Sequence, residues 1–138
     1  MSASVLVAYA TRSGSTREVA EAVGQTLCSH GVDVDLRHAR EVRDLDDYQA
    51  VVLGAPLYMF CWHKDARRFL ARHRQALVEL PVAVFALGPF HDEEKGWKDV
   101  RAQLDKQLGQ FPWFTPVAIE VVGGVFNPAK LGFPFSRP

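Results

Sequence analysis

Apolar residues along this chain fall into short unbroken runs separated by stretches of helical period. Val5-Leu6-Val7-Ala8-Tyr9-Ala10, Ala50-Val51-Val52-Leu53-Gly54-Ala55 and Val82-Ala83-Val84-Phe85-Ala86-Leu87 are such runs. Each is too short for a helix and lacks polar alternation, which predicts strands buried on both faces. Val32-Asp33-Val34-Asp35-Leu36 alternates strictly, so that strand is expected to bury one face only. Val117-Ala118-Ile119-Glu120-Val121-Val122 closes the series, and Glu120 marks a less buried strand. Helices are expected over 16–30, 64–77 and 95–108. In the first, Val19, Ala20, Val23 and Leu27 share one face, and Gly31 follows as a stop. Ser15 and Glu18 have the spacing of a capping box.

Strand and helix in alternation call for a mainly parallel sheet with helices on both faces. The three continuous runs belong at its centre, the alternating strand at one edge and the Glu120 strand at the other. The order 2-1-3-4-5 meets all five requirements, giving an α/β doubly wound sheet in one domain over 1–138. Winding reverses between strands one and three in that order, so a ligand is expected at the loops after Ala10 and Ala55. The tail Phe126–Phe135 is too rich in Pro and Gly for the final helix of this topology. One sheet face is then expected to lie open, and a second copy of the chain to cover it as a homodimer.

Composition narrows the function. Lys plus Arg and Asp plus Glu number sixteen each, which gives no global attraction to nucleic acid. Cys28 and Cys61 form neither a disulfide framework nor a metal-binding spacing, so no metal is expected, and a reducing cytoplasm suits them. The N-terminus lacks the features of a signal peptide, and no apolar run is long enough to span a bilayer.

The loop Thr11-Arg12-Ser13-Gly14-Ser15-Thr16 lies between a buried strand and a helix start. Four of its six residues carry hydroxyls, and Gly14 permits a tight turn. Helix-terminal amides with short hydroxyl side chains suit a phosphate monoester, whose charge the helix dipole favours. Neither the GxxxxGK[ST] pattern nor the three-glycine dinucleotide fingerprint is present. Tyr9, Ala10 and Pro56 occupy the places where a receiver domain would need acids. Plain helix capping is the competing reading, although one hydroxyl suffices for that. Two further loops lie at the same strand ends. Pro56-Leu57-Tyr58-Met59-Phe60-Cys61-Trp62-His63 is unusually aromatic for a surface loop, and Gly88-Pro89-Phe90-His91 follows strand four. A planar ligand such as an isoalloxazine ring would fit between them.

These residues resemble a known family. Thr11–Thr16 is similar to the flavodoxin phosphate loop, T-x-T/S-G-x-T. Gly54–Tyr58 and Trp62–Phe69 resemble the branch holding the menaquinone-dependent protoporphyrinogen dehydrogenases and their flavodoxin-domain relatives. The resemblance implies a flavodoxin-like fold and FMN, its phosphate on Ser13, Gly14, Ser15 and Thr16 and its ring between the other two loops. It also implies oxidation of protoporphyrinogen IX with a quinone as acceptor.

Several residues keep two readings. Tyr58 and Trp62 either stack on a flavin or pack their loop onto the next helix. His63, Lys64, Arg67, Arg68, Arg72, His73 and Arg74 make a basic segment. It reads either as a solvated helix face or as an attraction for porphyrin propionates or anionic lipid headgroups at the inner face of a membrane. His91 is a proton donor or a surface residue, Cys61 a redox-sensitive thiol or an inert one, and Arg12 a phosphate ligand or a solvated charge. Two function classes follow: an FMN oxidoreductase or electron carrier, and a flavodoxin-like interaction module without flavin.

Overall fold

The computed structural model describes residues 4–10, 15–58, 61–87 and 94–122. Strand β1 (Ser4–Tyr9) leads to helix α1 (Ser15–Ser29), then β2 (Asp33–His38), a 3-10 turn (Ala39–Glu41) and β3 (Ala50–Tyr58). The short β4 (Cys61–Trp62), α2 (Lys64–Arg72), α3 (Arg74–Leu77), β5 (Val82–Leu87), α4 (Glu94–Leu108) and β6 (Ala118–Val122) complete the series. Five parallel strands lie in the order β2-β1-β3-β5-β6, with β4 antiparallel on the end of β3. That is the doubly wound order expected from the burial patterns. Both edges are also as read: β2 is half-exposed along its length, and β6 around Glu120 is only partly buried.

Strand alternation divides the core in two. Leu6, Ala8, Val51, Leu53, Val82 and Val84 face Phe69 and Leu70 of α2 and Leu104 of α4. Val5, Val7, Val52, Ala83 and Phe85 face the other way, toward Ala20, Val23 and Leu27 of α1. Continuous apolar runs are what two covered faces demand. Val52, Ala83 and Phe85 are shut off from solvent within one chain. The homodimer expectation turns on the tail after Val122, which lies outside the described residues. The missing final helix concerns residues outside those described.

Helix α1 ends as its sequence predicts. Gly31 adopts φ 81°, the Val32 N–H donates to the Leu27 carbonyl at 3.2 Å, and the Gly31 N–H donates to the Cys28 carbonyl at 3.0 Å. This is a Schellman closure, with Val32 and Leu27 both buried in the α1-side core. The helix expected over 64–77 is interrupted. At His73 the backbone leaves helical geometry (φ −106°, ψ 21°), and its buried ring packs against Phe69 with centroids 4.6 Å apart. A tertiary contact, invisible to helical period, divides α2 from α3.

One row of residues crosses all five parallel strands: His38, Tyr9, Gly54, Phe85 and Glu120. Gly54 is where this row closes. A Cβ there would lie 1.8 Å from the Phe85 ring, so the ring occupies the space a side chain would need.

Candidate functional site

Strands β1, β3 and β5 are parallel neighbours, so the segments after Tyr9, Tyr58 and Leu87 leave the sheet at one end. The chain winds outward from β1 to β2 on one side and from β3 to β5 on the other. The end of β1 therefore lies at the reversal, where ligands of such sheets sit. Pairing continues one residue past β1, the Ala10 N–H donating to the Gly54 carbonyl at 2.9 Å. Helix α1 then begins at Ser15. Thr16, in its first turn, is only 2% exposed, one of four buried polar residues among those described. Thr11, Arg12, Ser13 and Gly14 lie outside the described residues, and of Ser15 the backbone alone is described.

The second loop differs from the expectation of a plain loop. Pro56, Leu57 and Tyr58 prolong β3, and Leu57 pairs with Trp62 across a hairpin. Pro56 has no N–H to give a neighbouring strand, and the ladder with β5 ends there, opposite Leu87. Met59 and Phe60 lie outside the described residues, as do Gly88, Pro89, Phe90 and His91. For Cys61 and Tyr58 the backbone alone is described.

Trp62 is 1% exposed, and its indole N–H donates to the Ala55 carbonyl at 3.0 Å. It packs among Leu57, Ala66 and Leu104 in the α2-side core, the arrangement of a residue that fastens its loop to the next helix. Two further bonds hold the hairpin base. The His63 N–H donates to the Pro56 carbonyl at 3.0 Å, and Arg67 Nε donates to the Trp62 carbonyl at 3.1 Å. His63 Nδ1 in turn accepts from the Asp65 N–H at 3.0 Å, capping α2. His38 caps the 3-10 turn in the same way, accepting from the Arg40 N–H at 3.1 Å. Neither cap was legible, because imidazole is not among the usual capping side chains. The part played by Arg67 also left no signal, since only the fold shows which carbonyl it reaches.

The basic segment thus divides. Lys64, Arg68, Arg72 and Arg74 are exposed; Arg67 braces the hairpin, His63 caps a helix, and His73 is buried. Among the described residues no group of His, Cys, Asp and Glu is placed to hold a metal ion, and no helix is long and apolar enough to cross a membrane.

Burial pushes both His63 and His73 below the ordinary imidazole pKa. For His63 the neighbouring Lys64, His38 and Arg40 act in the same direction and Asp65 opposes; for His73, Arg72 acts with burial. A cap that accepts at Nδ1 also requires that nitrogen to be unprotonated. Since the folded state holds these protons less tightly than the unfolded chain, their contribution is complete above the unfolded value of 6.5. It is lost as pH falls below that toward the folded values. Chemical denaturation at pH 7.5 and 5.5 should show lower stability at 5.5. His63→Asn, which keeps a capping acceptor, should lessen the difference. A difference that the substitution leaves unchanged would remove His63 from this account.

The chain matches the flavodoxin domain family over residues 6–135. Its fold is similar to that of a flavodoxin from the domain Archaea, with a TM-score of 0.64, 18% identity and 96% of each chain covered. It is also similar to part of the rubredoxin oxygen:oxidoreductase of Desulfovibrio gigas, with a TM-score of 0.63 and 17% identity. That match covers 94% of this chain and 32% of the other. Protoporphyrinogen IX dehydrogenase [quinone] of Escherichia coli K12 is 26% identical over 84 residues, 59% of this chain and 46% of that protein. The match thus spans about half the length of that relative. With the sheet order, the reversal point and the family match in agreement, this chain belongs to the flavodoxin domain family, whose members typically bind FMN.

Proposed function

We propose that this chain binds FMN at the carboxyl ends of β1, β3 and β5 and passes electrons through it. The observation that carries this reading is the buried Thr16 in the first turn of α1, at the point where the sheet's winding reverses. A hydroxyl-bearing side chain buried at that helix start suits the acceptor oxygens of a phosphate. Ser13, Gly14, Ser15 and Thr16 would hold that phosphate. Thr11 and Arg12 would flank it. Pro56, Leu57, Tyr58, Met59 and Phe60 would border the ring on one side and Gly88, Pro89, Phe90 and His91 on the other. The buried Trp62 would act by fixing the hairpin. FMN, when bound, supplies reversible electron and hydride chemistry; the residues of this chain bind it, orient it and keep water from its ring.

Thr16→Ala should weaken FMN roughly ten- to a hundredfold, as expected for one charge-assisted bond of about 1.5–3 kcal/mol. Riboflavin, without the phosphate, should bind weakly to both proteins and not distinguish them. Flavin fluorescence quenching measures both affinities, and equal losses for the two ligands would separate Thr16 from the phosphate. A colourless preparation that takes up no added FMN would favour the interaction-module reading instead.

The finer proposal is that a porphyrinogen donates the electrons and a quinone accepts them. Its support is the 84-residue similarity to the Escherichia coli dehydrogenase. Reduced porphyrin with a menaquinone analogue is the deciding assay. Absence of turnover in an FMN-loaded protein would leave an electron carrier.

A further inference from the structure

On the sheet face away from α1, the 3-10 turn and α2 enclose a cleft of about 550 Å³. Helix α2 turns Asp65, Arg68, Phe69 and Arg72 toward it, the spacing of one helix face. Ala39 and Phe69, both buried, form its apolar floor. Arg40 stands on the opposite wall, paired at 3.4 Å with the Asp65 carboxylate, which is 6% exposed. Arg68 and Arg72, one turn apart on the rim, have no acidic partner among the described residues.

Three guanidiniums against one carboxylate leave this cleft positive in a chain of zero net charge. Two like charges four residues apart on a helix repel, and an anion between them relieves the repulsion. The guanidinium fork matches a carboxylate or a phosphate with two parallel bonds. The volume lies within the range of small-molecule sites. Asp65 holds Arg40 in place, and its own charge disfavours a second anionic group deep in the cleft.

We propose that this cleft binds a small organic monoanion, its carboxylate head held by Arg68 and Arg72 and its apolar body laid on Ala39 and Phe69. None of the residues assigned to the flavin lines the cleft, so occupancy there is independent of flavin content.

Calorimetric titration of the whole chain at constant ionic strength tests this, with octanoate as the probe and acetate and inorganic phosphate as controls. Octanoate should bind saturably at one site, at least tenfold more tightly than either control. The exposed pair R68Q/R72Q should weaken octanoate tenfold or more with no loss of thermal stability. Ala71→Trp, at an exposed position bordering the same cleft, should block octanoate while leaving both arginines in place. Unaltered octanoate binding by R68Q/R72Q, or phosphate binding as tight as octanoate, would overturn the proposal. So would sedimentation with phosphatidylglycerol vesicles in the absence of any octanoate binding, which would make these arginines a membrane-facing patch.

Discussion

Gly54→Ala is expected to lower the thermal midpoint by about 10 °C or more, if the protein folds at all. The added Cβ would fall 1.8 to 2.3 Å from three carbons of the Phe85 ring, inside any tolerable contact. The ring cannot move aside, because Phe85 has no exposure to solvent and shares its pocket with the α1-side core. Overpacking of this kind costs about 1–3 kcal/mol, and more where no route of relaxation exists. Phe85→Ala alone should cost about 3–5 kcal/mol through the cavity it leaves. In the double variant the new methyl enters that cavity, so the combined loss should fall short of the sum by about 2 kcal/mol. Strict additivity would show that the ring does not set the requirement for glycine.

Trp62→Ala should be comparably damaging, about 3–5 kcal/mol, and its effect should extend to ligand binding. The indole fills the space between the β3–β4 hairpin and helices α2 and α4, and its N–H ties the hairpin to the Ala55 carbonyl. Trp62→Phe keeps most of the volume and drops the bond, for an expected loss of about 1–3 kcal/mol. Urea unfolding separates the two variants. On the FMN reading, a loosened hairpin weakens contact with the ring rather than the phosphate. Trp62→Phe should then reduce FMN and riboflavin affinity by the same factor, the opposite of the Thr16→Ala pattern. Flavin affinities unchanged by Trp62→Phe would show that the hairpin does not border the ring.

The two predictions rest on features of different legibility. The sheet order could be read because burial leaves a direct trace: Val5–Ala10 and Val82–Leu87 are apolar throughout, whereas Asp33 and Asp35 mark β2 as an edge. Gly31 was legible for a backbone reason, since a positive φ selects glycine. Gly54 was not, because its partner Phe85 lies far along the chain, on the next strand. The hairpin hid within an aromatic stretch that has no alternation of its own, and its bracing bonds involve main-chain carbonyls that carry no sequence signal. At the site, the hydroxyl-rich phosphate loop was the clearest motif, yet Thr16 is its one residue with a described side chain. The Arg40–Asp65 pair joins two segments distant in the chain and could only be found in three dimensions.

The charged character of β2 has a consequence beyond its place in the sheet. A parallel sheet that ends in an unpaired strand offers a row of backbone donors and acceptors to any other extended chain. Here that row is flanked by Asp33, Asp35 and Arg37, with Asp35 engaged by both Arg37 at 2.7 Å and the Tyr48 hydroxyl. An incoming strand would have to break up this cluster and desolvate its charges before gaining any backbone pairing. The outer edge therefore resists templated self-assembly, and a β2 neutralised by Asp33→Asn, Asp35→Asn and Arg37→Gln together would be the version of this sheet that forms fibrils.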